Sequence, residues 1–216
     1  MGWPKTRETE YVSVPQPILI VCEDKKSAVF YLKAKIKSLR LHYADVVVDG
    51  DSGSAPISVV DYAIKKKGGK ENQLVYCVMD VDDHTTLKTA IAKAKANGLR
   101  TIISNESFEL WYLLHFIAYS TASLSRKQIN KALSEKLAKS YDKGDKGIFE
   151  MIKAHEGNAW KVAALLYKHA KENSTQRDPL INPSTEVHLL LTHLHKVAKV
   201  PEPKVVIEKS LKSRRG

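Results

Sequence analysis

Two short apolar runs in this sequence each end in acidic residues. The first run, Ile18–Cys22, is followed by Glu23 and Asp24, and the second, Leu74–Met79, is followed by Asp80. Short runs rich in Val and Ile, each followed by residues in a helical period, are typical of buried parallel strands. In open α/β sheets the functional crevice lies at the carboxyl ends of the strands. We therefore expect these acids to meet at one edge of a sheet.

The alternation of apolar runs with helical periods continues to about residue 120. The predicted strands are residues 18–22, 44–48, 74–79 and 99–103, and the predicted helices between them begin at Ser27, Pro56 and Thr85. Pro56 suits the first position of a helix, because its missing N–H would have no partner there. The order strand-helix-strand predicts an α/β fold, with a parallel sheet, right-handed crossovers and helices on its faces.

From residue 125 onward the apolar spacing is helical throughout. Asn182 and Pro183 stand where a cap and a first helical residue would open the last helix. We predict four parts: an N-terminal tail (1–16), an α/β core (17–120), a helical C-terminal region packed on that core (121–200) and a basic tail (201–216).

The charge of the chain favours polyanionic partners. Among its 216 residues, 35 are Lys or Arg and 24 are Asp or Glu, which gives a formal net charge of +11. Such a surplus attracts DNA or RNA and makes their binding dependent on salt. The residues predicted to bind nucleic acid follow the first acids or lie in the basic tail: Lys25, Lys26, Lys212, Arg214 and Arg215.

Neither a membrane span nor a secretion signal is predicted. No apolar stretch approaches the roughly 20 residues that a membrane helix needs, and residues 1–16 are polar. We expect a cytoplasmic protein that does not bind membranes. Cys22 and Cys77, the two cysteines of the chain, both fall in predicted strands. Buried free thiols are the expectation, and a bridge between neighbouring strands stays open.

The acids could hold a metal ion. Asp80 and Asp82 are two residues apart, so their side chains share one face if the chain is extended there. Carboxylates repel one another, and a hard cation, Mg²⁺ or Mn²⁺, would relieve that repulsion. Such an ion could polarise a phosphoryl oxygen, while Glu23 could act as a general acid or base. Asp83 and His84 come next, at the start of the following helix, and are weaker candidates.

Several segments together resemble a known family. The segments are Ile18 to Glu23, Met79 to His84, Ser104 to Phe116 with its Phe-Glu-Leu-Trp-Tyr motif, and Asn182 to His188. The chain resembles the RloB-like family of bacterial defence operons and, more widely, the Toprim fold of topoisomerases, primases and overcoming-lysogenization-defect nucleases. The chain departs from the pattern at Asp24, where Gly is expected, at Ala28, where an acid is expected soon after Ser27, and at Glu106, where Pro is expected.

The resemblance implies a Toprim-like core with a Mg²⁺-dependent nuclease site that serves anti-phage defence of the abortive-infection kind. By motif, Glu23 takes the acid/base position, and Asp80 and Asp82 take the metal positions. The resemblance also implies a partner ATPase of the AAA or ABC type. Asn105, Glu109 and His115 fall in the family segment and form a possible additional site, although a histidine on an apolar helical face is more often part of the core.

Two other interpretations remain open on the sequence. A non-catalytic adaptor would keep the fold and the acids but dock an ATPase or a nucleic acid. A receiver-type phosphoacceptor domain would hold Mg²⁺ with Glu23 and Asp24 and accept a phosphoryl group on Asp80. Against the receiver, two further acids follow Asp80 closely and would crowd a phosphoaspartate.

Overall fold

The computed structural model describes residues 16–42, 46–70, 72–81, 86–173 and 181–204. The strands in these ranges are β1 (Ile18–Cys22), β2 (Val46–Asp49), β3 (Leu74–Asp80), β4 (Arg100–Asn105) and β5 (Ser184–Thr185). The helices are α1 (Ser27–Ser38), α2 (Pro56–Lys67), α3 (Leu87–Ala96), α4 (Glu109–Leu113), α5 (Arg126–Lys136), α6 (Ile148–Ile152), α7 (Glu156–Asn173) and α8 (Val187–Ala198).

The strands form one sheet in the order β2-β1-β3-β4-β5, parallel except for the antiparallel pair β4–β5. The predicted α/β fold with a largely parallel sheet is confirmed. Every residue of β1 is buried, because helices cover both faces of the sheet, and this explains why its sequence is continuously apolar rather than alternating.

Two groups of helices cover the two faces. α2 and α3 pack on one face, where Val60, Ala63 and Ala90 belong to the same apolar cluster as Leu19 and Val21 of β1. On the other face, the residues of α1 and α4 share a single apolar cluster with those of α5, α6, α7 and α8. The helical region that follows residue 120 is therefore packed against the same side of the sheet as α1.

The entry to the last helix differs from the prediction. Asn182 does not cap that helix, since its side chain accepts from the Leu124 N–H at 2.8 Å and donates to the Leu124 carbonyl at 3.1 Å. Ser184 and Thr185 form β5 instead, and α8 begins only at Val187. The predicted helix start at Pro183 is wrong, because two residues of this segment pair with the exposed edge of β4.

The sheet separates the two cysteines. Val21 is opposite Cys77 in the β1–β3 ladder, and consecutive residues point to opposite faces of a strand. Cys22 accordingly packs in the apolar cluster with α1, and Cys77 packs in the cluster with α2 and α3. Both are free thiols, as expected. In the described part of the chain, no helix is both long and apolar enough to cross a membrane.

The strand order bears on the receiver interpretation. Flavodoxin-like sheets, which include receivers, have the order 2-1-3-4-5. The present sheet has the same order, but its fifth strand is antiparallel and comes from residues 184–185, after four intervening helices. The doubly wound pattern therefore stops at β4.

A buried ion pair joins α1 to α7. Lys35 Nζ lies 2.6 Å and 2.7 Å from the two carboxylate oxygens of Glu156, and their side chains are only 4% and 10% exposed. The Tyr31 hydroxyl also donates to Glu156, at 3.2 Å. Burial lowers the pKa of Lys35, although Glu156 opposes that shift. Each charge thus depends on the other for its stability in the core.

We expect Glu156→Gln to lower the free energy of unfolding by about 3–5 kcal/mol, because it leaves the Lys35 ammonium buried without its counter-charge. Urea denaturation provides the measurement. The double variant Lys35→Met/Glu156→Leu should recover most of the loss. The matched control is Glu150→Gln, in an exposed pair with Lys153, which should change little. Equal effects of Glu156→Gln and Glu150→Gln would contradict the assigned role of the buried pair.

Candidate active site

Glu23 and Asp80 lie side by side at the carboxyl edge of the sheet. The Glu23 N–H donates to the Val78 carbonyl at 3.1 Å, which continues the β1–β3 pairing one residue beyond β1. The Glu23 Oε2 atom then accepts from the backbone N–H of Asp80 at 2.9 Å. The structure therefore brings these two predicted site residues together, and a backbone group of β3 fixes the orientation of the Glu23 carboxylate.

A cleft of about 170 Å³ opens beside the two acids. It combines carboxylates, apolar groups and two cations from the helical region. The lining residues are Glu23, Asp24, Ala28, Ser54, Val78, Asp80, Phe108, Arg126 and Lys143. Since a water molecule occupies about 30 Å³ in the liquid, the cleft has room for a phosphate group together with some water.

Asp80 is in an environment that resists its ionisation. Its side chain is 16% exposed and lies 3.3 Å from Arg126 Nη2. Burial raises the pKa of Asp80 well above its usual range, and the negative charges of Glu109 and Glu23 raise it further, against the opposing effects of Arg126 and Lys143. Three carboxylates are thus close enough to interact electrostatically, although Glu109 does not line the cleft.

Glu109 is a fully buried carboxylate at the start of α4. Its Oε1 atom accepts from the Ser27 hydroxyl at 2.6 Å and from the Tyr141 hydroxyl at 3.1 Å, and Lys143 Nζ is 3.5 Å away. Burial alone would raise the pKa of Glu109, but Lys143 and the Ser27 hydrogen bond outweigh burial and lower that pKa. Glu109 is therefore held ionised behind the cleft, where it attracts Lys143.

The two cations of the cleft come from parts of the chain that sequence reasoning did not assign to a site. Arg126 is the first residue of α5, whose start is fixed by a capping box between Ser125 and Gln128. Lys143 follows Asp142 in a turn and lies 3.6 Å from Asp24 Oδ2 as well as near Glu109. The Ser-x-x-Gln signal marks the helix start, but no local pattern links residues 126 and 143 to the acids.

His115 lies away from the cleft, beyond the far end of α4. It is 2% exposed, and its Nδ1 is 2.9 Å from the Trp111 carbonyl. A carbonyl can only accept, so Nδ1 carries the proton. Burial lowers the pKa of His115 to about 3, which makes the ring neutral at physiological pH. The neighbouring Trp111 and Tyr112 are also buried, as expected for core residues.

Three further residues that the sequence suggested for a site do not line the cleft. Asn105 ends β4 opposite Ser184 and is buried. Lys25 forms an exposed ion pair with Asp51 at 2.7 Å, and Lys26 is exposed just before α1. The remaining predicted site residues lie outside the described residues: Asp82, Asp83, His84, Lys212, Arg214 and Arg215.

The described acids of the cleft have the ligand chemistry that a hard divalent cation prefers. Carboxylate oxygens are the ligands that Mg²⁺ and Mn²⁺ take, and Mg²⁺ is commonly held by one or two carboxylates with water. Within the described ranges, no three His, Cys, Asp or Glu side chains are grouped so that they could hold a metal. The mutual repulsion of the acids around Asp80 is what a cation would relieve. A Mg²⁺ or Mn²⁺ ion held by Glu23 or Asp80 would need water molecules to complete its ligands.

Comparison with protein families identifies the chain. The model of the RloB-like protein family matches residues 18–194, which include all five strands. The chain belongs to the RloB-like family. No curated protein and no solved structure matches it significantly.

Two further acids have contacts near the cleft. Asp24 accepts from the Lys26 N–H at 3.0 Å and attracts Lys143. Glu106 accepts from the backbone N–H of Arg126 at 2.7 Å. Both acids therefore connect the sheet edge to the segments that carry the cleft cations.

We expect Asp80→Asn to become more stable relative to wild type as the pH rises from 4 to 8 in EDTA. The native pKa of Asp80 lies above the unfolded value of about 3.9, so its stabilising contribution is complete below that value and is lost as pH rises through the native pKa. Asn does not ionise and avoids this loss. Urea denaturation at several pH values provides the measurement.

Asp145→Asn is the matched control, and its stability relative to wild type should change little between pH 5 and 8. Hydrogen bonds from Lys139 and from the Gly147 backbone lower the pKa of Asp145. Its stabilising contribution is therefore present above the unfolded pKa and is lost as pH falls through the native one. A stability difference between Asp80→Asn and wild type that stays constant over this pH range would contradict the environment described for Asp80.

Proposed function

We propose that this RloB-like protein is a metal-dependent phosphodiesterase that cleaves DNA or RNA. The observation that carries the proposal is the contact between Glu23 and the backbone of Asp80 at adjacent strand ends. The cleft beside them also contains Arg126 and Lys143. Acids that could hold a metal ion and basic side chains that could hold a phosphate are a combination suited to metal-dependent phosphodiester cleavage.

The acids have separate roles in this proposal. Asp80, together with Asp82, would hold Mg²⁺ or Mn²⁺, which when bound would polarise a phosphoryl oxygen and lower the pKa of a water molecule. Glu23 would move a proton to or from the reacting oxygen as general acid or base. The hydrogen bond from the Asp80 N–H keeps the Glu23 carboxylate directed along the edge between β1 and β3.

The two cations would bind the phosphate. The side chains of Arg126 and Lys143 are each 34% exposed, so they reach the cleft without being fully solvated. A guanidinium offers paired donors that match phosphate oxygens. Lys143 is held in place by Asp24 and by the buried Glu109. Glu109 would therefore act as a positioning residue that keeps an ammonium group at the cleft.

Membership of the RloB-like family supports the rest of the proposal. The protein would work with an ATPase of the AAA or ABC type in anti-phage defence, and cleavage would depend on that partner. The isolated chain would bind substrate and metal, and the reconstituted pair would cleave.

A non-catalytic adaptor is the second candidate, and one observation favours it. Arg126 pairs with Asp80, and Lys143 with Asp24 and Glu109, so the acids of the cleft are partly neutralised by the protein itself. In that case the cleft would be a docking site in which charges serve recognition, and the same protein would bind its ATPase without cleaving nucleic acid.

We expect Mn²⁺ to bind weakly to the wild-type chain and not to Asp80→Asn/Asp82→Asn, because the variant lacks both acids proposed as ligands. Water-proton relaxation during a Mn²⁺ titration gives the affinity. The matched control is Asp51→Asn/Asp61→Asn, which removes two exposed acids outside the cleft and should bind as wild type does. Unchanged binding in the cleft variant would place the metal elsewhere.

We expect Glu23→Gln to reduce cleavage of labelled DNA or RNA by the reconstituted pair by about 10²-fold or more, because a positioned acid or base contributes 10²–10⁴-fold. Phage protection is the assay if the substrate is not known. Gln keeps the size of the side chain, so folding and ATPase binding should persist. Glu150→Gln on the exposed face of α6 is the control. Full activity in both Glu23→Gln and Asp80→Asn would favour the adaptor.

A further inference from the structure

The positive charge of the chain is concentrated in one layer of the fold. Residues 56–70 and 86–97, which form α2 and α3 with their turns, contain seven lysines and one acid, Asp61. This segment alone accounts for +6 of the formal net charge of +11. More than half of the net charge therefore lies in 27 of the 216 residues, and none of those lysines was singled out by sequence analysis.

We call the surface that carries these lysines the α2–α3 basic surface; its residues are Lys65, Lys66, Lys67, Lys70, Lys88, Lys93 and Lys95. The two helices pack on the same face of the sheet. Lys67 Nζ lies 3.4 Å from the carbonyl of Asn97, just after α3, and Lys93 pairs with Asp61 of α2 at 2.5 Å. Lysines from both helices are thus neighbours on one side of the protein.

Most charges of this surface are not neutralised. Six of the seven lysines are exposed, and Lys67 is half-buried. Within the described part of the chain, ion pairs involve only Lys66, with Asp49 at 3.3 Å, and Lys93, with Asp61. The other five lysines have no acidic partner among the described residues, and all of them except Lys67 are exposed. Their mutual repulsion is a cost that an external polyanion would remove.

The shape and composition of the surface favour nucleic acid over a lipid membrane. Lys88 and Lys95 are seven residues apart on α3, or about 10 Å along the helix, and packed helices lie about 8–10 Å apart. A duplex carries one phosphate charge per about 1.7 Å of helix axis, so a surface with these dimensions can face several phosphates at once. None of the exposed large apolar residues of the described chain lies in α2 or α3, so the surface lacks the groups that insert into a membrane.

We propose that the α2–α3 basic surface binds the phosphate backbone of a nucleic-acid duplex. The cleft with Glu23 and Asp80 lies at the strand ends and shares no residue with this surface. Binding here is consequently independent of metal and of cleavage, and it would hold a long duplex on the protein whether or not the cleft is catalytic. Lysines provide charge without base-specific donor patterns, so the contact is not specific for sequence.

The experiment measures binding of labelled 25-base-pair DNA and RNA duplexes by fluorescence anisotropy, in EDTA so that no metal-dependent cleavage occurs. The surface variant changes four exposed lysines that have no acidic partner among the described residues: Lys65→Gln, Lys70→Gln, Lys88→Gln and Lys95→Gln. The matched control removes the same charge from exposed lysines of α5 and α7: Lys131→Gln, Lys136→Gln, Lys161→Gln and Lys168→Gln. Gln has a helix propensity close to that of Lys, so both variants should fold, which circular dichroism checks.

We expect the surface variant to lose at least about tenfold in affinity at 50 mM salt for one or both duplexes, and its salt slope to fall by up to about 3–4, because each phosphate contact contributes about 0.9 to that slope. The control should retain most of the affinity. Equal losses in both variants would overturn the proposal, because binding would then follow overall charge. It would also be overturned if the wild-type chain bound phosphatidylserine vesicles or polyglutamate but neither duplex.

Discussion

Repulsion among carboxylates at one edge of the sheet is the constraint on which the candidate site depends. The parallel pairing of β1 with β3 places Glu23 against the backbone of Asp80, and the charge of Glu109 acts on the same aspartate. Such an arrangement is stable only if protons or cations offset the repulsion. The chain supplies a proton and two cations. The raised pKa of Asp80 favours its protonated form, and the side chains of Arg126 and Lys143 lie close to the acids.

The helical region after residue 120 is consequently part of the site and not an appendage to it. It contributes Arg126 and Lys143 to the cleft, and its Tyr141 donates to Glu109. Ser27, at the start of α1, donates to the same carboxylate, so one buried group connects the helix after β1 with the helical region. The apolar cluster shared by these helices holds this polar connection in place, because neither side can move without exposing core residues.

Features that depend on local sequence patterns could be predicted. The apolar runs predict the first four strands, and their alternation with helices predicts the parallel sheet. The position of Glu23 and Asp80 at neighbouring strand ends follows from the same reasoning. β5 could not be predicted, because a two-residue strand has no periodicity and forms only where the edge of β4 offers partners. The presence of Arg126 and Lys143 in the cleft could not be predicted either. It depends on how the helical region packs against the sheet, and the spacing of residues within that region does not determine this packing.

The two cations have different contacts with the acids of the described residues. Lys143 has two other acidic neighbours, Asp24 at 3.6 Å and Glu109 at 3.5 Å, and Glu109 is buried and held ionised by its hydrogen bonds. Neutralising Asp80, whether by a proton or by a bound cation, would therefore leave Lys143 in place. Arg126 is directed at Asp80 itself, and the same neutralisation would weaken that attraction while Glu106 still holds the start of α5. In the proposed enzyme, a cation bound by the acids would weaken the attraction between Asp80 and the guanidinium, and both Arg126 and Lys143 would remain at the cleft to bind a phosphate.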